Sequence, residues 1–138
     1  YPIKVLSLEV GARRPLGSGV SGIAILAGLT TSDASAMIKA NAKRFAAHDL
    51  TAAKVTERVR AARNRGHAYA EAGLVKGTRA IAVVIPGSTG EPLAAISVAA
   101  IASRLGSTRA PIVVSAMNEQ VAQISRRLAA IAKSRRKP

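Results

Sequence analysis

The sequence predicts one α+β domain whose antiparallel sheet is flanked by helices. Three observations predict it. Helical apolar spacing fills residues 17–65, short strand-like runs with turn residues follow Gly66, and helical spacing returns in the last third. A chain of 138 residues suits a single hydrophobic core. We take residues 1–133 as the domain and residues 134–138 as a basic tail expected to fray.

The elements follow in order. Pro2 to Val10 carries Ile3, Val5, Leu6, Leu8 and Val10 and stops at Gly11, as a strand would. Gly17 to Leu29 is apolar on all sides, the mark of a buried helix. Thr30 or Thr31 caps a second helix, with Ile38, Ala42 and Phe45 in one stripe and Lys39, Lys43 and Arg44 outside it. Thr51 opens a third, where Val55, Val59 and Ala62 share a face and Gly66 stops the helix. His67–Ala72 and Thr78–Ile85 read as strands, and Pro92–Ala99 returns after the Pro86–Gly90 turn. So short a connection makes the last pair an antiparallel hairpin.

In the tail, Val113, Met117, Val121, Ile124, Leu128 and Ile131 step by three or four residues, a helical pattern. Pro111 fits its first turn and Thr108 is a candidate cap. A short strand over Ile112–Ser115 before a shorter helix fits the pattern as well.

Composition excludes several function classes. Without cysteine there is no disulfide, thiolate metal site or cysteine nucleophile, and two histidines (His48, His67) are too few for a histidine metal centre. Absence of cysteine is compatible with a reducing cytoplasm. No apolar run reaches the roughly 18 residues of a membrane span, and the first residues read as a strand rather than a leader peptide. No cofactor and no membrane partner are expected. The charge of +14 suggests a polyanionic partner, usually nucleic acid. Yet the cations are spread along the chain, and Tyr1, Phe45 and Tyr69 are too few aromatics for a base-stacking platform. A solvated basic face is the plainer reading.

Gly17-Ser18-Gly19-Val20-Ser21-Gly22 matches G-x-G-x-x-G. A dinucleotide site needs a strand running straight into that turn and an acidic residue roughly 20 positions later. Here Arg13-Arg14-Pro15-Leu16 intervenes, helices follow, and Asp33 comes too early. Small residues at a helix start still expose backbone N–H groups able to hold a carboxylate or phosphate; equally, they allow close helix packing. Catalytic constellations are missing. Ser97, His67 and Glu71 can be assembled on paper as a triad, but nothing in their spacing favours it.

Three stretches together resemble the effector-binding domain of IclR-family bacterial transcription regulators. Arg14-Pro15-Leu16-Gly17-Ser18-Gly19-Val20-Ser21-Gly22-Ile23-Ala24-Ile25-Leu26-Ala27 is similar to that family's proline, small-residue and Gly-x-Ala-x-Leu-Ala helix. Val59 to Ala68 resembles its arginine-x-x-Gly-Tyr helix end. Gly77 to Ala82, Gly90 to Val98 and Ser103-Arg104-Leu105 resemble its paired strands and the Ser-Arg after them.

The resemblance implies a GAF-like antiparallel sheet flanked by helices, starting after the family's opening strands and its N-terminal winged helix-turn-helix. DNA would then be bound only through that absent domain, and the chain would be a non-enzymatic sensor of a small organic acid. By position, the pocket wall would comprise Leu6, the Val20–Ser21 helix start, Ala70, Ala80, Ser97 and Ala99. Members that bind hydrophilic acids carry an acidic residue at the Ala70 position and a hydroxyl at the Ala99 position. Here Ser18, Ser21, Ser97 and Glu71 are left as polar groups. Either the ligand is bulkier and more apolar, or the site has lost it. Regulators of this type act as dimers or tetramers, so a homo-oligomer is expected through apolar faces of the Thr51–Arg65 or Pro111–Lys133 helices. The alternative is a basic nucleic-acid-binding module without a small-molecule ligand.

Overall fold

Two of the four α-helices open on a capping threonine. In the computed structural model, which describes residues 11, 13–71 and 76–135, the first helix, α1, is Val20–Gly28 and buries Ile23, Ala24 and Leu26. The strand expected over Pro2–Val10, with Leu6, lies outside the described residues.

The cap of the second helix is now settled. In α2, Thr31–Phe45, Thr30 Oγ1 accepts the Asp33 N–H at 3.1 Å and the Thr30 hydroxyl donates to the Asp33 carboxylate at 2.8 Å. Asp33 also places a negative charge in the first turn, where the helix dipole favours it. Ala34, Ile38 and Phe45 are buried, and Ala42 is half-buried beside them.

A single 3-10 turn, Ala46–His48, follows, and Asp49 takes the left-handed conformation at φ 53°. Nothing in the apolar spacing announces it. In α3, Ala52–Arg65, Thr51 Oγ1 accepts the Lys54 N–H at 3.2 Å. Gly66 closes the helix at φ 78°, donating its N–H to Ala62 O at 2.9 Å. A β-carbon there would be strained, which is why the helix stops on glycine.

The sheet has three strands in the order β1-β2-β3, all antiparallel: β1 Ala68–Ala70, β2 Thr78–Pro86 and β3 Pro92–Ile101. β1 is shorter than the His67–Ala72 segment expected, and β3 runs two residues beyond Ala99. In the hairpin turn Gly87 donates to Glu91 O at 2.7 Å, and the register slips between Ile85 and Pro86. The Thr89 hydroxyl and N–H both donate to the Glu91 carboxylate, which holds that acid below the usual carboxylate pKa.

The last helix, α4, runs unbroken over Ala110–Ser134. The Ile112–Ser115 strand alternative is therefore excluded. Pro111 sits in the first turn as expected, but Arg109 occupies the cap position without a side-chain bond, so Thr108 is not the cap. Instead the Ala110 N–H finds Gly106 O at 2.9 Å, a turn bond doing what a side chain would otherwise do. Ser134 still belongs to the helix, its hydroxyl donating to Ile131 O at 2.8 Å. Arg135 follows as a turn, and residues 136–138 lie outside the described residues.

Three layers result. α1 lies on one face of the sheet with α3 and α2 stacked beyond it, and α4 covers the other face. Leu26, Phe45 and Val55 centre the first core, with Ala68 and Ala82 as its floor. Ile81, Val83, Leu105 and Met117 form the second.

Candidate small-molecule site

Alternation along the strands sorts their side chains onto two unlike faces. Pairing of Ala70 with Ala80 and of Ala80 with Ala99 makes one row across all three strands. The next row is Ala68, Ala82 and Ser97. Every residue in these two rows ends at Cβ or at a hydroxyl, and Ala68 and Ala82 belong to the core under α1. The opposite face carries Tyr69, Ile81, Val83 and Ile96 against α4. One face is filled by its own side chains; the other is kept low.

Four of the expected site residues therefore come together: Ala70, Ala80 and Ala99 in one row and Ser97 beside them. Ala80 is buried, Ala70 half-buried, and Ser97 and Ala99 are exposed. α1 packs along β2 and β3 on this face. At the far end of this helix, a Cβ on Gly28 would lie 3.1 Å from Pro92 and 3.5 Å from Val84. The opposite end of the helix is its start, at Val20. Val20 and Ser21 are half-buried at that end and Ser18 is buried, its N–H on Pro15 O at 3.1 Å. The first amide to find an intrahelical acceptor is that of Ile23, on Gly19 O at 3.0 Å, which leaves the Val20 and Ser21 amides as donors at the helix mouth.

Glu71 does not join this group. It lines a separate open groove of about 420 Å³ with Lys54, Glu57, Arg58, Ala61, Arg65 and Tyr69. The Arg65 guanidinium stands over the Tyr69 ring, 5.9 Å from its centroid. With carboxylates among its cations, this groove is not a one-signed track for a phosphate backbone. Leu6 lies outside the described residues.

A second cavity, of about 220 Å³, opens under the far end of α1, lined by Ala24, Ala27, Gly28, Ala62, Arg63, Gly66, His67, Ala68, Ala82 and Val84. It lies between α1 and the sheet, where a pocket was expected, but none of the eight expected site residues that are described lines it. Its charged residue is already committed. Arg63 donates to Ala27 O at 3.1 Å, Leu29 O at 2.8 Å, Leu26 O at 3.5 Å and Thr31 Oγ1 at 3.1 Å. The guanidinium thus satisfies the open carbonyls at the end of α1 and ties them to the start of α2. Its partner there, His67, is held below its usual pKa by burial, against a backbone hydrogen bond at Arg65 that pulls the other way.

That network makes Arg63 the anchor of the helical layer, a role the Arg-x-x-Gly pattern marks but does not explain. Arg63→Ala should lower stability by about 1–2 kcal/mol, the worth of charge-assisted bonds discounted for exposure. Arg63→Lys should recover only part of it, because an ammonium cannot reach several carbonyls with one planar fork. Urea unfolding of the three proteins measures this; a loss from Arg63→Ala below about 0.3 kcal/mol would refute the anchoring role.

The glycine motif also has its explanation. A Cβ on Gly22 would stand 2.6 Å from the Gly17 backbone nitrogen, and one on Gly17 would stand 2.8 Å from Val55 Cγ1. Two of the three glycines let the loop and the helix lie on each other. Among the described residues, no group of three or more His, Cys, Asp or Glu side chains is placed to hold a metal, and no helix is long and apolar enough to cross a membrane.

The arrangement matches known proteins over most of its length. A family described as bacterial transcriptional regulator IclR C-terminal matches residues 3–126. The Agobacterium tumefaciens repressor BlcR superposes with a TM-score of 0.73 at 16% identity, over 88% of this chain and 51% of its own. Thermotoga maritima IclR does so with a TM-score of 0.68 at 22% identity, over 82% and 47%. The C-terminal domain of Escherichia coli KdgR gives 0.72 at 22%, over 86% and 73%. The chain thus spans about half the length of the first two. No curated protein sequence matches it.

Proposed function

Because the chain belongs to the IclR family of bacterial transcriptional regulators, as their C-terminal domain, we propose that it senses a small organic acid and oligomerises, modulating DNA binding by a separate N-terminal domain. It is a domain of regulators rather than of enzymes. The observation that carries the ligand reading is the low face of the sheet. Ala70, Ala80 and Ala99 stand in one row beside Ser97, and α1 packs against the two strands that carry three of these four residues. Alanines give width and an apolar wall; the Ser97 hydroxyl and the amides of Val20 and Ser21 give directional polar contacts. A carboxylate suits those amides, since they donate and the helix dipole adds positive potential. Ligand would act on the regulator only through unequal affinity for its two arrangements.

A panel of carboxylic acids at millimolar concentration, 2-oxo and 2-hydroxy acids alongside aromatic and branched ones, tests the reading by thermal shift and calorimetry. The alanine wall predicts that bulkier, less polar acids stabilise best. Ser97→Ala should weaken binding by roughly three- to tenfold through one lost hydrogen bond, and Ala99→Leu should block the site without harming the fold. His67→Ala should leave affinity unchanged. The reverse pattern, loss with His67→Ala and none with Ser97→Ala or Ala99→Leu, would move the ligand to the cavity beneath Gly28.

A further inference from the structure

Cations are spread along the chain, but acids are not. The last carboxylate side chain is Glu119, and residues 120–138 carry six cations and no acid. The densest acid-free run elsewhere, Arg58–Arg65, loses that character in three dimensions. Arg63 is bound to carbonyls, and Arg58 and Arg65 share a groove with Glu57 and Glu71. The end of α4 keeps a single sign.

That stretch also stands clear of the domain. Val121 is the last α4 residue packed on the second core, and every residue from Arg126 to Arg135 is exposed. The helix nevertheless continues to Ser134, as its alanines, leucine and arginines favour. Among the described residues, the side chains of Arg126, Arg127, Lys133 and Arg135 have no hydrogen-bond or ion-pair partner. Complementing the helix dipole accounts for only part of this charge. That effect fades within the last turn, which holds Lys133; Arg126 and Arg127 stand about two turns earlier.

Arg126 and Lys133 are seven residues apart and so share one side of the helix, about 10 Å apart along it. Ala122, Ala129 and Ala130 lie on that side and are exposed, which leaves the cations as the tallest groups there. Arg127 extends the charge round one flank. A DNA duplex presents one negative charge per about 1.7 Å of its axis, so several phosphates fall within this span. Residues 120–138 hold no aromatic side chain. Charge on a low alanine surface suits the backbone and not the base edges.

We propose that the end of α4 binds the phosphate backbone of duplex DNA without reading its sequence, with Arg126, Arg127 and Lys133 as the contacts. DNA is the polyanion at hand, because the chain belongs to a family of transcriptional regulators. This contact is the chain's own and adds to that of a separate N-terminal domain. It depends neither on the small-molecule site nor on oligomerisation.

Fluorescence anisotropy of the 138-residue chain with two short duplexes of unrelated sequence, between about 50 and 200 mM salt, tests it. Both duplexes should bind alike, and log Kd should rise linearly with log salt. Arg126→Gln with Arg127→Gln and Lys133→Gln should weaken binding at least about tenfold at the low-salt end and reduce the slope by about 2–3. Glutamine keeps the helix, which circular dichroism checks. Lys39→Gln with Lys43→Gln and Arg44→Gln removes the same charge from the exposed side of α2 and should change the slope by less than about 1. Equal losses from the two triple variants would mean that net charge alone attracts DNA, which overturns the α4 contact. Absence of salt-dependent binding at low salt overturns it outright. Binding to phosphatidylserine–phosphatidylcholine vesicles that the α4 variant abolishes, with no duplex binding, would assign the surface to lipid headgroups instead.

Discussion

Phe45→Ala should remove about 3–5 kcal/mol of unfolding free energy, a large part of the roughly 5–15 kcal/mol that a domain possesses. Phe45 is the only phenylalanine and is fully buried. It sits at the last position of α2, in the same core as Leu26 and Val55, so its ring is the volume around which α1, α2 and α3 meet. The 3-10 turn directly after it leaves the backbone little freedom to follow a shrinking side chain inward: Leu50 already donates to Phe45 O at 3.1 Å. A cavity left there would stay open and lose both transfer energy and dispersion contacts. Denaturant unfolding would show the midpoint falling with the slope unchanged. A loss below about 1.5 kcal/mol would mean that the layer closes over the gap, and that Phe45 is not its centre.

The helical half of the molecule is legible because α2 and α3 advertise themselves twice, by spacing and by their ends. Thr51 and Gly66 bracket α3, and Val55, Val59 and Ala62 mark its buried face. What stayed illegible depends on contacts between distant segments. Thr108 is a candidate cap for α4 by residue type, although a turn bond to Gly106 serves there, and no composition rule distinguishes the two. Among the described residues, β1 is limited to Ala68, Tyr69 and Ala70, which find partners on β2, a fact of register rather than of propensity.

The candidate site divides in the same way. Ala70, Ala80, Ser97 and Ala99 were placed together by family position, and the antiparallel register gives the physical reason they share a face. Glu71 follows Ala70 directly, and adjacent residues of an extended chain point to opposite sides. It turns to the α3 groove instead. The cavity around His67 draws on the end of α1, the end of α3 and two strands, so no local pattern could reveal it. Arg63 was visible only as part of an Arg-x-x-Gly string, and its meaning lies in carbonyls some 30 residues away in sequence.

The glycine motif allows the sharpest separation of packing from binding. Gly17→Ala should lower stability by about 3 kcal/mol or more, from two causes that add. Gly17 has φ 107°, outside what a side chain tolerates, so strain alone contributes about 1–3 kcal/mol. The new Cβ would also lie 2.8 Å from Val55 Cγ1 and 3.1 Å from Leu26 Cδ1, in the tightest part of the core. Val55 and Leu26 are both fully buried and have no free space to yield. Gly22→Ala should behave similarly, since the atom it meets is backbone rather than a movable side-chain end. Gly19 differs. Nothing lies within 4 Å of a Cβ there, and its backbone is ordinary extended chain at φ −127°. Gly19→Ala should therefore lose no more than about 1 kcal/mol, the worth of a weaker cap residue. In a phosphate-binding loop the order would reverse, because the middle glycine is where the backbone approaches the ligand. Thermal and urea unfolding of the three single variants decide between the two roles. Near-equal, small losses at Gly17 and Gly19 would break the packing explanation and return the motif to ligand binding.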